Sequence, residues 1–375
     1  MSTPTSKLFQ PIKFGHVTLK HRVVLAPLTR NRGNNRHVHG ALGLEHYSQR
    51  ASSPGSLLIT EATFIAHKAS GYTFHAPGIW SDEQVAAWKK IVDAVHAKGS
   101  FIYMQLWALG RAASPEQLAK EDPSFPYVSS GNVALTGVEQ KPRPLTHEEI
   151  KEYAQLYATA ASNAVHKAGF DGVEVHGANG YLVDQFLKDV SNNRTDEYGG
   201  TPEKRTRFAI EVLDAVTAAV GQERVGIRLS PWITNYDMDM KDPVPTFSHL
   251  ITQIRDRFPN FGYLHVIEPR IRGSFDREEL SGETNDYFRK IWGDRRWVSA
   301  GGFTRESALK AAEEHGELIA FGRYYTSNYR LQPDLPDRLL KNIPLAPYDR
   351  SVFYTEESPI GYIDYKVAEE VAVAA

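Results

Sequence analysis

Eight short apolar runs recur along this sequence, each followed by a stretch with helical signals. They cover residues 23–28, 57–65, 101–107, 172–176, 225–230, 263–268, 297–300 and 319–321. Most are rich in Val, Ile, Leu and aromatics, as parallel strands buried on both faces must be. The stretches between them carry helix boundaries. Ser81-Asp82-Glu83 opens one that stops at Gly99, and Thr146-His147-Glu148-Glu149 is a capping box opening another that ends near Gly169. Thr201-Pro202-Glu203 opens a third, ending at Gly221, and Thr304-Arg305-Glu306-Ser307 a fourth, ending near Gly316. Eight strand–helix alternations point to the α/β class and a closed (β/α)8 TIM barrel. A doubly wound open sheet shares the pattern. Against it, no two of the 28 glycines are separated by a single residue, so the G-x-G-x-x-G dinucleotide fingerprint is absent.

A barrel needs about 250 residues and accepts insertions without dividing. The 375 residues are therefore read as one domain, 1–375. Residues 120–143, between the third run and its helix, form a long insertion expected over the C-terminal face as a lid or hairpin. Residues 231–245 look like another active-site loop. The formal net charge of -2 gives no reason to expect nucleic acid or an anionic membrane as partner. No run reaches the roughly 18 apolar residues of a membrane span, and the N-terminal stretch lacks a signal peptide's order. The expectation is a cytoplasmic protein, monomer or homodimer, with small-molecule partners. There is no cysteine, which removes disulfides, thiolate metal sites and thiol nucleophiles. His37-Val38-His39 and His147-Glu148-Glu149 form no H-E-x-x-H, and no metal site is expected.

Barrel enzymes place their chemistry at the C-terminal ends of the strands. The polar residues there are Thr29 and Arg30, Glu61, Gln105, His176 and Asn179, Arg228 and Glu268. Alternation sharpens the list. Val225, Ile227 and Leu229 share one face, so Arg228 points to the other, into the barrel, where a guanidinium needs an anion or acceptor. Glu174 shares a face with His176, and Tyr103 with Gln105 and Trp107. Such residues suit the polar edge of a planar heterocycle better than an apolar plug. Gly301-Gly302 and Gly322-Arg323 end the seventh and eighth runs, where barrels often bind phosphate through backbone N–H groups and a bidentate arginine. His176-Gly177-Ala178-Asn179-Gly180-Tyr181 sets two groups able to donate to one substrate oxygen beside a phenol able to donate a proton.

Taken in order, these residues resemble the Old Yellow Enzyme family of FMN-dependent NAD(P)H dehydrogenases and ene reductases. The resemblance runs from Lys7-Leu8-Phe9 to Gly361-Tyr362-Ile363-Asp364-Tyr365. It rests on Ala26-Pro27-Leu28-Thr29-Arg30, Ile59-Thr60-Glu61-Ala62, Gln105-Leu106-Trp107, the His176–Tyr181 segment, Asn193-Arg194-Thr195-Asp196-Glu197-Tyr198-Gly199-Gly200, Arg228-Leu229-Ser230-Pro231, Ala300-Gly301-Gly302 and Phe321-Gly322-Arg323. It implies FMN held by Pro27, Leu28, Thr29, Ala62, Gln105 and Arg228, with its phosphate on Gly301, Gly302, Gly322 and Arg323. It implies NADPH or NADH as hydride donor in a ping-pong cycle. It further implies His176 and Asn179 on the carbonyl or nitro oxygen of an activated alkene, hydride from flavin N5 to the β-carbon, and Tyr181 protonating the α-carbon. Tyr72, Trp107, Phe275 and Tyr354 would shape the substrate pocket. Fungal relatives that lack the tyrosine donor isomerise instead of reducing; Tyr181 favours net reduction here. The rival readings are a flavin-free phosphate-binding aldolase or isomerase barrel, and an isomerase-type relative in a fungal secondary-metabolite pathway. The first lacks an obvious Schiff-base lysine at a strand end, since Lys68 and Lys98 lie elsewhere.

Overall fold

The structure is a computed structural model and describes residues 6–273, 275–278, 280, 282–328 and 334–365. Eight parallel strands form the barrel: β1 (Val23–Leu25), β2 (Leu57–Ile59), β3 (Phe101–Trp107), β4 (Gly172–Gly177), β5 (Val225–Leu229), β6 (Tyr263–Ile267), β7 (Trp297–Ala300) and β8 (Leu318–Phe321). Each pairs in parallel with the next, and β8 returns to β1 with Phe321 opposite Leu25. No edge is left in the ring, as the strand–helix count predicts. Helices follow the strands in turn: α1 (Ala41–Arg50), α2 (Asp82–His96), α3 (His147–Ser162), α4 (Arg207–Val220), α5 (Val244–Arg257), α6 (Asp286–Trp292), α7 (Arg305–His315) and α8 (Leu335–Lys341). The expected caps form. Ser81 and Gln84, Thr146 and Glu149, and Thr304 and Ser307 close reciprocal capping boxes. The third expected helix breaks at Thr206, so that Pro202–Arg205 stands as its own turn before α4.

Two strand expectations need correction. The run 57–65 is not continuous: β2 stops at Ile59, and Thr63–Phe64 pairs again with the upper end of β3. Between them the Thr60 hydroxyl accepts the Gln105 N–H at 3.1 Å. A side chain thus carries the ladder across the break, and Ala62 turns to the mouth. The insertion 120–143 is not a hairpin, since Val128–Ser129 and Arg143–Pro144 pair in parallel.

The barrel interior is graded along its axis. Its lower half is apolar, packed by Val24, Leu57, Ile59, Tyr103, Tyr263, Val298 and Leu318. The antiparallel strands Ile12–Phe14 and Val17–Leu19 close the bottom, with the Phe14 ring 4.8 Å from that of Tyr263 and 5.7 Å from that of Tyr103. Burying that ring contributes about 1.5–3 kcal/mol. Their turn needs Gly15: φ is +53° and a Cβ would meet the Glu223 carbonyl oxygen at 2.2 Å. The middle layer is polar, with Gln105, Glu174 and His265 buried. The upper end is open.

Beside the bottom closure, His21 is locked as a neutral imidazole. Its Nδ1 accepts the Val23 N–H at 3.2 Å and its Nε2 faces Ser56 Oγ at 3.0 Å. Burial pushes its pKa down to about 4. Above pH 6.5 both folded and unfolded chains carry it neutral. As pH falls from 6.5 to about 4, the unfolded chain takes up a proton that the fold refuses. His21 alone should cost about 3 kcal/mol across that window. A His21→Gln variant, although less stable at pH 7, should lose less on acidification. Parallel melting curves against pH for the two proteins would refute this.

Candidate active site

The upper end of the barrel holds a cavity of about 470 Å³. All but one of the residues assigned to the site from sequence line it: Pro27, Leu28, Thr29, Ala62, Tyr72, Gln105, Trp107, His176, Asn179, Tyr181, Arg228, Gly301, Gly302, Gly322, Arg323 and Tyr354. Phe275 does not. It sits 64% exposed on a small antiparallel pair, Ile271–Arg272 with Phe275–Asp276, and the Arg350 guanidinium covers its ring at 4.4 Å. Its neighbour Asp276 faces the cavity, and adjacent strand residues point opposite ways. No lining residue comes from 120–143.

The floor is an ionised network. Glu174 accepts from Gln105 Nε2 at 2.8 Å and from the Tyr263 hydroxyl at 3.0 Å, and faces His265 Nδ1 at 2.8 Å. Burial alone would raise its carboxyl. His265, Arg228 and Gln105 outweigh burial and hold it below the usual range. Glu174 does not itself line the cavity; it lies one layer beneath. Arg228 stands in register with His176 on one side and His265 on the other. Its Nε is buried with no hydrogen-bond partner among the described residues. Burial lowers its pKa while Glu174 pulls it back up, so the chain itself supplies the anion that a guanidinium in the barrel needs.

The β4 end carries the reactive groups. Asn179 (φ +59°) and Gly180 (φ +82°) turn the chain sharply. The Asn179 N–H bonds Ser230 Oγ at 2.8 Å and the Gly180 N–H bonds Asp184 Oδ2 at 2.9 Å. The Ala178 N–H lies 3.4 Å from His176 Nδ1, which leaves Nε2 as the protonated nitrogen. Burial, then Arg228 and His265, hold the His176 pKa well below its ordinary value. Tyr181 stands edge-on to Trp107 and to His176, both at 4.9 Å between ring centroids. Burial, then Tyr236, Tyr72 and Tyr354, push its phenol well above 10.

Two devices of the rim are not evident from sequence. Tyr236, in the 231–245 loop, lines the cavity with its ring 5.9 Å from that of Tyr181 and its own φ at +55°. Arg111, fully buried, holds it there by donating to the Tyr236 carbonyl at 3.0 Å. The segment 120–143 adds a bond from the Thr136 N–H to Asp237 Oδ2 at 2.7 Å. The second device is a strap. Arg30 and Arg32 reach away from the cavity to the carbonyls of Phe353 (3.1 and 2.7 Å), Gly361 (2.5 Å) and Ile360 (2.9 Å). They draw residues 350–365 across the mouth, which sets Phe353 and Tyr354 in its wall.

Comparison with known proteins decides what kind of barrel this is. Residues 7–346 match the family described as NADH:flavin oxidoreductase / NADH oxidase. The chain belongs to the Old Yellow Enzyme family. The NADP-dependent oxidoreductase lnbE of Aspergillus flavus is 48% identical over 97% of both chains, and the chanoclavine-I aldehyde reductase of Penicillium roqueforti is 46% identical over 97% of both. The solved Old Yellow Enzyme of a Pichia species superposes with a TM-score of 0.87 at 38% identity, covering 96% of this chain and 93% of that one. Membership makes the protein an FMN- and NAD(P)H-dependent oxidoreductase. No helix among the described residues is long and apolar enough to cross a membrane.

Proposed function

We propose that this Old Yellow Enzyme reduces the C=C bond of an activated alkene, an unsaturated aldehyde, ketone, nitroalkene or imide. The observation that carries the reading is the convergence of a neutral His176, Asn179 and a protonated Tyr181 on one wall of the cavity. FMN, when bound, supplies hydride storage between NAD(P)H and the alkene.

The residues present fit FMN. Arg228 Nε is a buried donor in need of an acceptor. Gly301 (φ +128°) and Gly302 (φ +59°) adopt backbone that other residues resist, and a Cβ on Gly301 would meet Ile271 Cγ1 at 2.7 Å. Gln105 and Arg228 would take the ring's polar edge, Pro27, Leu28, Thr29 and Ala62 its side, and Gly301, Gly302, Gly322 and Arg323 the phosphate. Gln105 comes prepared, because Glu174 holds its Nε2 and leaves Oε1 to accept. Arg323 forks onto Asp276 at 2.6 and 3.1 Å, and the same fork suits a phosphate, so phosphate and Asp276 share or exchange this partner.

In the cavity, His176 donates through Nε2 and Asn179 through its amide to the substrate oxygen, and both strengthen as charge builds on that oxygen. Tyr181 delivers its proton to the α-carbon. Trp107, Tyr72 and Tyr354 bound the space above, and Tyr236 belongs with them. The 120–143 segment acts on this pocket through Tyr236 rather than as a cover.

The purified protein should be yellow, bleach anaerobically with NADPH and regain its colour when a cyclic enone is added. A colourless protein that takes up no FMN would favour the phosphate-binding aldolase or isomerase reading. A bleached protein indifferent to enones, nitroalkenes and unsaturated imides alike would end the alkene assignment.

A further inference from the structure

Outside the cavity, three residues distant in sequence bring their side chains onto a single atom. His37 Nε2 and His67 Nε2 each lie 3.1 Å from Glu121 Oε2. The three donor atoms fall within 4.8 Å of one another. The other oxygen of Glu121 accepts from Gln117 Nε2 at 3.2 Å. The other nitrogen of His37, Nδ1, lies 2.6 Å from the Ala76 carbonyl oxygen. A carbonyl only accepts, so Nδ1 carries the proton and Nε2 of a neutral His37 turns its lone pair to the carboxylate. Two electron-rich atoms at that distance repel unless a proton or a metal cation lies between them. An imidazole fixed through its far N–H by a backbone carbonyl is also how proteins orient histidine ligands.

The surroundings suit a cation held by few ligands. The side chains of His37 and Glu121 are each 2% exposed, and that of His67 is 40% exposed. The His37 ring meets Phe64 and Trp80 at 5.6 and 5.3 Å, and the His67 ring stacks on Trp80 at 5.5 Å. His37 is held at φ +60°, unusual for a residue with a side chain, and that conformation aims its ring at Glu121. A tetrahedral zinc with bonds near 2.0–2.1 Å separates its ligand atoms by about 3.3 Å, close to the two 3.1 Å separations. Rotation of the half-exposed His67 brings its nitrogen into range of the third.

We propose that His37, His67 and Glu121 bind one zinc-class divalent cation, with the open side at His67 left for water. Two imidazoles and a carboxylate without thiolate form a borderline donor set that prefers zinc to magnesium or calcium. The absence of H-E-x-x-H spacing bears only on sites built on one helix. This one joins the loop after β1, the 3-10 turn His67–Ala69 and the helix Pro115–Glu121. It acts as a clamp. Phe64, against which His37 packs, stacks on Trp107 at 4.7 Å and 5°, so the clamp braces a wall of the cavity without entering it. The other cluster of this kind among the described residues, His147, Asp196 and Glu197, is more exposed, and Arg194 already takes Asp196 at 2.6 Å. It serves as the control.

The test uses FMN-loaded protein stripped with a chelator, then incubated with zinc or magnesium and freed of excess metal. Elemental analysis should find about one zinc per chain, with a melting temperature raised by zinc and unmoved by magnesium. His67→Ala and Glu121→Gln should each abolish both zinc retention and the rise while keeping the flavin spectrum. His147→Ala should keep both. A wild-type protein that retains no zinc would overturn the proposal and leave a protonated His37 paired with Glu121. Retention in His67→Ala equal to wild type would overturn it as well.

Discussion

Replacing Tyr181 with Phe is expected to slow enone reduction roughly 100- to 10,000-fold, the range over which a positioned acid contributes. The rate at which NADPH bleaches the protein should hardly change. The asymmetry follows from what the phenol does. Its ring is fixed edge-on against Trp107 and His176, contacts that Phe reproduces. What Phe lacks is the hydroxyl, whose proton the alkene step consumes and flavin reduction does not. Stopped-flow measurement of the two half-reactions separates these terms. Equal slowing of both would show that Tyr181 positions ligands in general and is not the acid.

The same electrostatics set the pH dependence. Burial and the neighbouring tyrosines keep the Tyr181 proton on. The enone step should therefore hold its rate through the range near pH 10 in which a free phenol ionises. His176 starts neutral and stays so, because burial, Arg228 and His265 all oppose its protonation. No inflection near pH 6.5 should appear in the binding of phenolic ligands.

The barrel was legible because strands buried on both faces leave continuous apolar runs, and because caps such as Ser81 and Thr146 are local chemistry. Side-chain alternation likewise located Arg228 and Gln105 inside. What escaped is set by contacts between distant segments. The break after Ile59 depends on a Thr60 hydroxyl bonding a backbone amide of β3. The place of Tyr236 depends on Arg111. Arg30 follows the first strand with Thr29, yet it serves the strap made by residues 350–365. Phe275 lies outside the cavity lining because a two-residue strand decides its facing, and nothing in the local pattern fixes that register. Alternation alone places Glu174 at a heterocycle's edge. Its carboxylate instead spends its lone pairs on Gln105, Tyr263 and His265.

That buried carboxylate carries the second large expected effect. Glu174→Gln keeps the shape and removes the charge. It should destabilise the protein by roughly 3–5 kcal/mol, the cost of leaving a buried ion without its partner. Two losses combine. Arg228 would stand in the barrel with no opposing charge beneath it. The new amide would also bring N–H donors to a position where Gln105, the Tyr263 hydroxyl and His265 donate already, so a donor pair faces across the site unless Gln105 flips its amide and gives up its free Oε1, or the Tyr263 hydroxyl turns to accept. Urea unfolding of apo-protein gives the number directly. A loss below about 1 kcal/mol would show that Arg228 is balanced by some other group. Arg228→Met in the same background removes the uncompensated charge. The double variant should therefore recover part of the loss, and the two single effects should not add. Strict additivity would mean that Glu174 and Arg228 do not act as a pair, and that the floor of the site is held by Gln105, Tyr263 and His265 alone.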